Sequence, residues 1–370
     1  LRRREVATGL LVFVLIGVAQ SLYGPSIPGL SREFALGAGT VGLLISAHAL
    51  GALFGVLATI PLEGRPTERW RAGTAVVLVG LGALGLGLAP SWPLMLASAF
   101  VLGIGYGAAT VGLNALFAGA FGARSAAMLN LLNALFGVGS ILGPLIVGAS
   151  VPLSTRAPFL VAALAALLLA PFAFGLDDRV PALPVRTQPR GARRGLAAFV
   201  ALLALGVGVE TSSAGWSATY LVSLGRSPGA AASFTALFYV VFTLGRFTAA
   251  GLSLRLQPAA MVLGALSLVV VFLAAARVPA LAGVSLALVG GAVSAFFPNA
   301  LTWLRTAVPP LRGGTALVVA GSLLGATVFP ALVGAAVTRG GGGIIPLAVL
   351  ALALVTLGFA GLLAARLKRH

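Results

Sequence analysis

Glu210 is an acid in a place where acids are scarce. The chain has seven Asp and Glu residues. Glu5, Glu33, Glu63, Glu68, Asp177 and Asp178 fall at or between the ends of apolar stretches, while Glu210 lies deep inside one. A charge at the middle of a bilayer costs about 2.5–3.5 kcal/mol on insertion scales. Such a carboxyl is tolerable beside water, beside a partner, or with a proton bound. It can therefore exchange a proton or hold a polar ligand. Ser213, Ser217 and Tyr220 follow at steps of three, four and three, which puts them on one helical face with Glu210. A polar stripe on an apolar helix is expected to face a cavity rather than lipid. The plain alternative is a structural acid hydrogen-bonded to a neighbouring helix.

The other polar residues inside apolar stretches are few. Tyr106, Thr110 and Asn114 share one face at steps of four. Asn130, Asn133 and Ser140 form a second group, Gln20, Ser21 and Tyr23 a third, and Asn299, Thr302 and Trp303 a fourth. Amides and hydroxyls can grip a neutral polyol by hydrogen bonds, and Trp216, Phe296, Phe297 or Trp303 could stack on a sugar face. The competing role is glue between helices, worth only about 0.6 kcal/mol per bond. Glue is the expected role for Asn130 and Asn133, although Asn133 stays within the candidate binding set. His48 is the one histidine inside a span, and a lone membrane histidine is more often a packing residue.

Asn114 and Asn299 occur in matching contexts. Ile104-Gly105-Tyr106 precedes Asn114-Ala115-Leu116 by the same spacing that separates Val289-Gly290-Gly291 from Asn299-Ala300-Leu301. The copies lie half of the 370-residue chain apart. Downstream, Gly139-Ser-Ile-Leu-Gly-Pro144 is echoed at almost the same offset by Gly325-Ala-Thr-Val-Phe-Pro330. One repeat at half-length in an apolar chain points to a carrier of two parallel lobes.

Composition reaches the membrane independently. Apolar residues make up 59% and charged residues 8%, with a mean hydropathy of +1.09; a soluble domain carries about 25% charge. Apolar stretches long enough to span recur at 6–30, 38–61, 72–90, 93–121, 126–150, 157–176, 195–224, 229–253, 258–276, 279–304, 313–337 and 343–365. Barrel strands would be shorter and would alternate in polarity. The chain thus reads as an all-α polytopic membrane protein of twelve helices: a six-helix bundle over 1–176, a basic linker over 177–194, and a second bundle over 195–370. Arg2-Arg3-Arg4 and the run from Leu10 mimic a secretory signal, but the apolar run continues to Leu30 without a small-residue cleavage site, so it reads as the first helix.

The net charge of +17 could suggest nucleic acid, but its placement argues for topology. With the N-terminus inside, all but five of the 24 Lys and Arg residues fall in inner loops or tails; the exceptions are Arg32, Arg156, Arg226, Arg277 and Arg339. The positive-inside rule then sets both termini in the cytoplasm of a cell inner membrane, with anionic lipid as a possible contact and nucleic acid excluded. Cysteine is absent, so disulfides and thiol ligands are excluded. There is no zinc-binding His-Glu-x-x-His, no pair of membrane carboxylates and no P-loop, so neither an enzyme, a metal site, a cofactor nor a primary pump is expected. Gly51-Ala-Leu-Phe-Gly55 and the run from Gly80 to Gly87 are read as surfaces for close helix packing, and Gly103-Ile-Gly105-Tyr-Gly107, with no strand before it and no basic residue after it, is not a nucleotide fingerprint. Pro144, Pro298 and Pro330 are read as kinks.

Twelve helices as six plus six, a basic central loop and a repeat by halves resemble the major facilitator superfamily. The superfamily's Asp-Arg then Gly-Arg-Arg loop is represented here by Glu63-Gly64-Arg65-Pro66-Thr67-Glu68-Arg69-Trp70-Arg71, which keeps the arginines without the Asp; its second-half counterpart keeps Gly245-Arg246 and Arg255. The resemblance implies that Arg65 and Arg246 lock the inner helix ends, with topology signal alone as the alternative. It also implies that helices one, four, seven and ten line the path, which are the helices carrying Gln20, Asn114, Glu210 and Asn299. Three stretches, Asn130 to Pro144, Glu210 to Leu221 and Phe297-Pro298-Asn299, are similar to the fucose permease and glucose/galactose–proton symporter branch. That branch has an Asp in the first helix and a Glu in the fourth, where this chain offers Gln20 and Thr110; neither can carry a proton. The resemblance also brings helices two and seven together on the outer side, which would allow a His48–Glu210 relay.

The expected function is secondary transport of a small, sugar-like polar solute by a monomer using alternating access, with Glu210 and His48 as proton-coupling residues. Gln20, Tyr23, Tyr106, Thr110, Asn114, Asn133, Ser213, Trp216, Ser217, Tyr220, Phe297, Asn299 and Trp303 are the expected substrate contacts. Proton-driven efflux of amphipathic drugs or lipids, an uncoupled facilitator and a channel remain open alternatives.

Overall fold

The computed structural model describes residues 1–59, 68–150, 153–176, 192–308 and 314–367. All regular structure among them is helical. Eleven helices or helix pairs are long and apolar enough to cross a membrane, and a twelfth apolar helix, Ala157–Ala173, has 17 residues, close to the lower limit for a span. These are the twelve expected stretches, each displaced by only a few residues at its ends. Of the expected linker, 177–191 lies outside the described residues, as does Arg65.

The chain forms two compact units, Leu1–Leu36 with Leu43–Leu183, and Gly37–Gly42 with Pro184–His370. The first contains α1 (Arg3–Ser21), α2 (Tyr23–Phe34), α4 (Leu43–Thr59), α5 (Glu68–Leu88), α6 (Trp92–Ala120), α7 (Ser125–Ser150) and α8 (Ala157–Ala173). The second contains the short α3 (Ala38–Val41) and then α9 (Ala192–Ser223), α10 (Pro228–Leu252), α11 (Pro258–Ala275), α12 (Ala282–Ser294), α13 (Phe296–Ala307), α14 (Gly314–Gly340) and α15 (Ile345–Leu367).

Local chemistry sets several boundaries. Glu5 accepts the Arg2 backbone N–H at 2.7 Å and closes the start of α1. Ser227 caps α10 by accepting from Ala230 N at 3.2 Å, with Pro228 in the first turn. Among the described residues, spans are broken at Leu22, Gly42 and Ala295. At the first and the last a proline follows three residues later. Pro25 cannot donate to the Ser21 carbonyl, nor Pro298 to that of Ser294, so the ladder lapses there. Pro144 and Pro330 lie inside the continuous helices α7 and α14.

Each unit pairs its helices in the same order. In the first, α1 packs on α7 and α8, α4 on α6, and α5 on α6 and α8. In the second, α9 packs on α14 and α15, α10 on α12, and α11 on α12 and α15. The half-length repeat is therefore a repeat of packing. Gly139 of α7 abuts α1, where a Cβ would collide with the Val14 carbonyl oxygen; its echo Gly325 of α14 abuts α9 at the Ala204 carbonyl oxygen in the same way. The other echo is looser. Gly105 faces the Ala75 carbonyl of α5, whereas Gly290 faces the Phe238 carbonyl of α10, the counterpart of α4. Equal spacing to the two asparagines therefore does not give equal neighbours.

Helix faces divide as a bilayer requires. On α8, Leu160, Leu164, Leu168 and Phe172 recur every fourth residue and are exposed, while Phe159, Ala162, Ala163, Ala166, Ala170 and Ala173 are buried. An apolar stripe left outside and small residues turned inward suit a helix whose outer face meets lipid. At one end of this unit Arg156 ties three segments together. It pairs with Glu33 of α2, donates to the Ala89 carbonyl at 2.6 Å, and lies 5.2 Å from the centre of the Phe34 ring. Thr155 also donates to Glu33. The pair is partly exposed, which limits its contribution. Arg156→Ala is expected to cost about 1–2 kcal/mol, including the lost carbonyl bond, and to lower the thermal midpoint without changing the helix content by circular dichroism.

Candidate functional site

In the first unit the polar residues form a connected cluster. Gln20 stands near the end of α1 and Tyr23 begins α2, one turn on. Tyr23 is buried, and its hydroxyl lies 3.3 Å from Nδ1 of His48 on α4. The His48 ring sits 5.0 Å from the Tyr106 ring of α6, edge to face, and Tyr106 in turn lies 6.4 Å from Phe136 of α7. Phe159 of α8 backs Tyr23 at 6.1 Å. What holds α4 this close to α6 is a glycine seam. A Cβ on Gly51, Gly55, Gly103 or Gly107 would collide with the carbonyl oxygen of Phe100, Ile104, His48 or Ala52 respectively. Gly51 and Gly55 were expected to pack closely; the matching role of Gly103 and Gly107 emerges only from the structure.

Further along α6, Thr110 donates to the Tyr106 carbonyl and Asn114 Nδ2 to the Thr110 carbonyl, both at 2.8 Å. Asn133 of α7 donates to the Leu129 carbonyl at 2.8 Å and approaches Asn114 Oδ1 at 3.5 Å, a weak link. All four of these side chains are half-buried, Tyr106 included. Much of the amides' donor capacity is thus spent locally. Sequence placement found these residues but not Phe136, whose role as an aromatic neighbour has no polar signature.

The second unit arranges its polar residues differently. Glu210 of α9 is half-buried. Among the described residues none donates a hydrogen bond to its carboxylate, while the Arg246 guanidinium of α10 acts on it through charge. Arg246 also lies 4.6 Å from the centre of the Phe242 ring. The sequence reading assigned Arg246 to an inner lock and did not connect it with Glu210. The available signal was its position inside the 229–253 span, where a charge calls for a partner.

The rest of the α9 stripe is engaged within the unit. Ser213 donates to the Val209 carbonyl at 2.7 Å. Ser217 donates to the Ala214 carbonyl at 3.0 Å and meets the Thr235 hydroxyl of α10 at 3.1 Å. Tyr220 donates to the Ala276 carbonyl at 2.9 Å. Trp216 is fully buried, its Nε1 donates to the Pro330 carbonyl at 3.1 Å, and its ring fills the space beside Gly42. The expected cavity-facing stripe is therefore a packing face over Ser213–Tyr220, because each polar atom finds a partner in the same unit. Glu210 is the member left with capacity.

On α13, Asn299 is 6% exposed and donates to the Ala295 carbonyl at 2.8 Å, as Asn114 does to Thr110. Trp303 packs edge-on against Phe199 of α9 at 5.2 Å. Phe297 is half-buried. Among the described residues no group of three or more His, Asp or Glu side chains could hold a metal ion.

Two units of matching helix order, built from long apolar helices with sparse polar clusters, define a polytopic helical membrane protein. The chain belongs to the Major Facilitator Superfamily, whose profile matches residues 9–275. It is 28% identical to the uncharacterized transporter y4wD of Sinorhizobium fredii over 59% of this chain and 58% of that one, and 28% identical to an uncharacterized MFS-type transporter of Yersinia pestis over 64% and 62%. The match thus spans about three fifths of the length of these relatives. Among solved structures it is similar to the nucleoside transporter NupG, with a TM-score of 0.76 at 14% identity over 99% of this chain and 98% of that one. A bacterial homolog of the human lysosomal transporter Spinster gives 0.75 at 16% over 99% and 96%. The E. coli fucose:proton symporter FucP gives 0.62 at 19% over 96% and 98%. At these identities the likeness is one of fold.

Proposed function

We propose that the protein is a secondary active carrier for a small, neutral, hydroxyl-rich solute, driven by protons through Glu210 and working by alternating access. The observation that supports this reading is the reach of the Arg246 charge to Glu210. Among the described residues, the two polar clusters contain one carboxylate, and that carboxylate has Arg246 within electrostatic reach. A cationic substrate would meet a guanidinium beside its only counter-ion, which weighs against efflux of amphipathic cations. A neutral solute meets amides, hydroxyls and aromatic rings, the usual equipment for binding a polyol. NupG and FucP, which share the fold, are named for nucleosides and fucose, both neutral and rich in hydroxyls.

The cluster of the first unit takes part in binding the solute, and Glu210 carries the proton. The basic bias of the inner loops orients the chain in a bacterial-type inner membrane with both termini in the cytoplasm, in contact with anionic lipid. A monomer suffices, because both units reside in one chain.

The direct test is purified protein in proteoliposomes under an imposed pH gradient, with D-glucose, D-galactose, L-fucose, D-xylose and uridine as solutes and tetraphenylphosphonium as the cationic comparison. Saturable, gradient-dependent accumulation of at least one neutral solute and none of the cation is expected. Cation extrusion without neutral-solute exchange would replace this reading with efflux, and non-saturable flux would replace it with a channel.

A further inference from the structure

Phe136 of α7 and Tyr106 of α6 form a corner of two rings, with centres 6.4 Å apart and planes at 61°. Both side chains are half-buried. The open part of Phe136 lies away from the face of α7 that suits lipid. Leu131, Val138, Leu142 and Leu145 are exposed and recur at steps of seven, four and three, which is one helical face. At 3.6 residues per turn, Asn133 and Phe136 fall on the far side of the helix from that stripe. Both rings are also held from behind. At Gly17, α1 lies so close to α7 that a Cβ would collide with the Phe136 carbonyl oxygen. The Tyr106 ring meets the edge of His48 at 5.0 Å, and His48 in turn faces the Tyr23 hydroxyl at 3.3 Å.

Amides flank this corner. Asn133 precedes Phe136 by three residues, about 4.5 Å along the helix axis, and approaches Asn114 of α6 at 3.5 Å. Each amide gives one hydrogen to a local carbonyl. Among the described residues nothing donates to Asn133 Oδ1, and an amide oxygen accepts two bonds. The ligand class follows from these two surfaces lying side by side. An apolar chain would fill the corner but strand the amides away from water. An ion would find no counter-charge among Tyr106, Asn114, Asn133 and Phe136. An open-chain polyol suits the amides, but it has no rigid face to lay on a ring and loses internal rotation when bound. A ring with polar groups on its edge, whether a sugar ring or a nucleobase, suits both surfaces. We infer that Phe136 and Tyr106 are a ring-reading corner, and that Phe136 determines specificity for a cyclic neutral solute over its open-chain equivalent. This rests on the carrier reading above and adds Phe136 to the residues that touch the solute.

The test uses the full chain in proteoliposomes and measures half-saturation for counterflow of D-glucose, D-galactose, D-xylose, D-ribose and uridine. The alditols D-glucitol, galactitol, xylitol and ribitol serve as open-chain competitors. In the wild type at least one ring solute should bind more tightly than its alditol. Phe136→Leu keeps apolar bulk without an aromatic face. It should weaken that ring solute by roughly two- to tenfold and leave the inhibition constant of the alditol unchanged. Phe136→Tyr should stay near the wild type. A loss for uridine without one for D-ribose identifies a nucleobase as the occupant; a loss for the free sugars identifies a sugar ring. If Phe136→Leu fails to fold, Tyr106→Leu carries the same comparison. Ring affinity unchanged by the loss of the aromatic face, or a loss shared equally by ring and alditol, would overturn the assignment, while saturable counterflow in the same vesicles keeps the carrier reading. If the wild type exchanges none of these solutes, both fall.

Discussion

Replacing Glu210 by Gln should abolish concentrative uptake while leaving exchange of solute across the membrane in place. Glutamine keeps the size of the side chain and its hydrogen-bonding reach but cannot take up or release a proton. A pH difference of one unit is worth about 1.4 kcal/mol per proton, so one-to-one coupling supports about tenfold accumulation. With E210Q the internal solute should stop at the external concentration whatever the gradient, while counterflow with solute on both sides continues. This separation distinguishes a coupling residue from a structural one. A structural acid would lower both activities, or the thermal midpoint, together. Unchanged accumulation in E210Q would remove Glu210 from coupling. The expectation rests on burial and chemistry in combination: among the described residues no hydrogen bond secures the carboxylate to its surroundings, and the one charge acting on it comes from Arg246.

Gly103→Ala should be among the most damaging small changes in the first unit. The added methyl has no room, because it would overlap the carbonyl oxygen of His48 on α4. Backbone cannot swing aside as a side chain can, so α4 and α6 must separate along the whole seam that Gly51, Gly55 and Gly107 also line. Overpacking of this kind costs about 1–3 kcal/mol or more. It also pulls His48 away from Tyr106, so solute affinity should fall with stability. Gly358→Ala on α15 is the matched control. Nothing lies within 4 Å of the Cβ there, and the same substitution should be neutral or slightly stabilising. The comparison needs thermal midpoints and solute affinities for the two variants side by side. Equal midpoints would mean that the seam does not set the helix spacing.

The polar cluster of the first unit was half visible in the residue order. Tyr23, His48, Tyr106 and Asn114 stood out because polar side chains are rare in apolar runs, and rarity is a property of the sequence. Their grouping was not visible, because it depends on which helices touch. Tyr23 reaches His48 across 25 positions of chain, and Asn114 meets Asn133 across 19. The stripe from Glu210 to Tyr220 gives the opposite lesson. Helical spacing placed four polar groups on one face, but spacing is silent on whether that face meets a cavity or another helix. Thr235 and the carbonyl of Ala276 decide the matter for Ser217 and Tyr220. The second-half asparagine shows a further limit. Asn299 follows a helix break at Ala295, so its register differs from that of Asn114 in the unbroken α6.

Sequence alone determined the membrane class, the twelve apolar segments, the half-length repeat and the short list of polar residues. Each of these follows from local hydropathy or residue type, which the bilayer reads one segment at a time. Only the tertiary structure decided which of those polar residues retain a free bonding atom and which are consumed by packing. It also brought Arg246 within electrostatic reach of Glu210 and set His48 between Tyr23 and Tyr106. Those outcomes depend on distances of a few ångströms between helices remote in sequence, and the glycine contacts that fix such distances act through shape, which hydropathy does not encode.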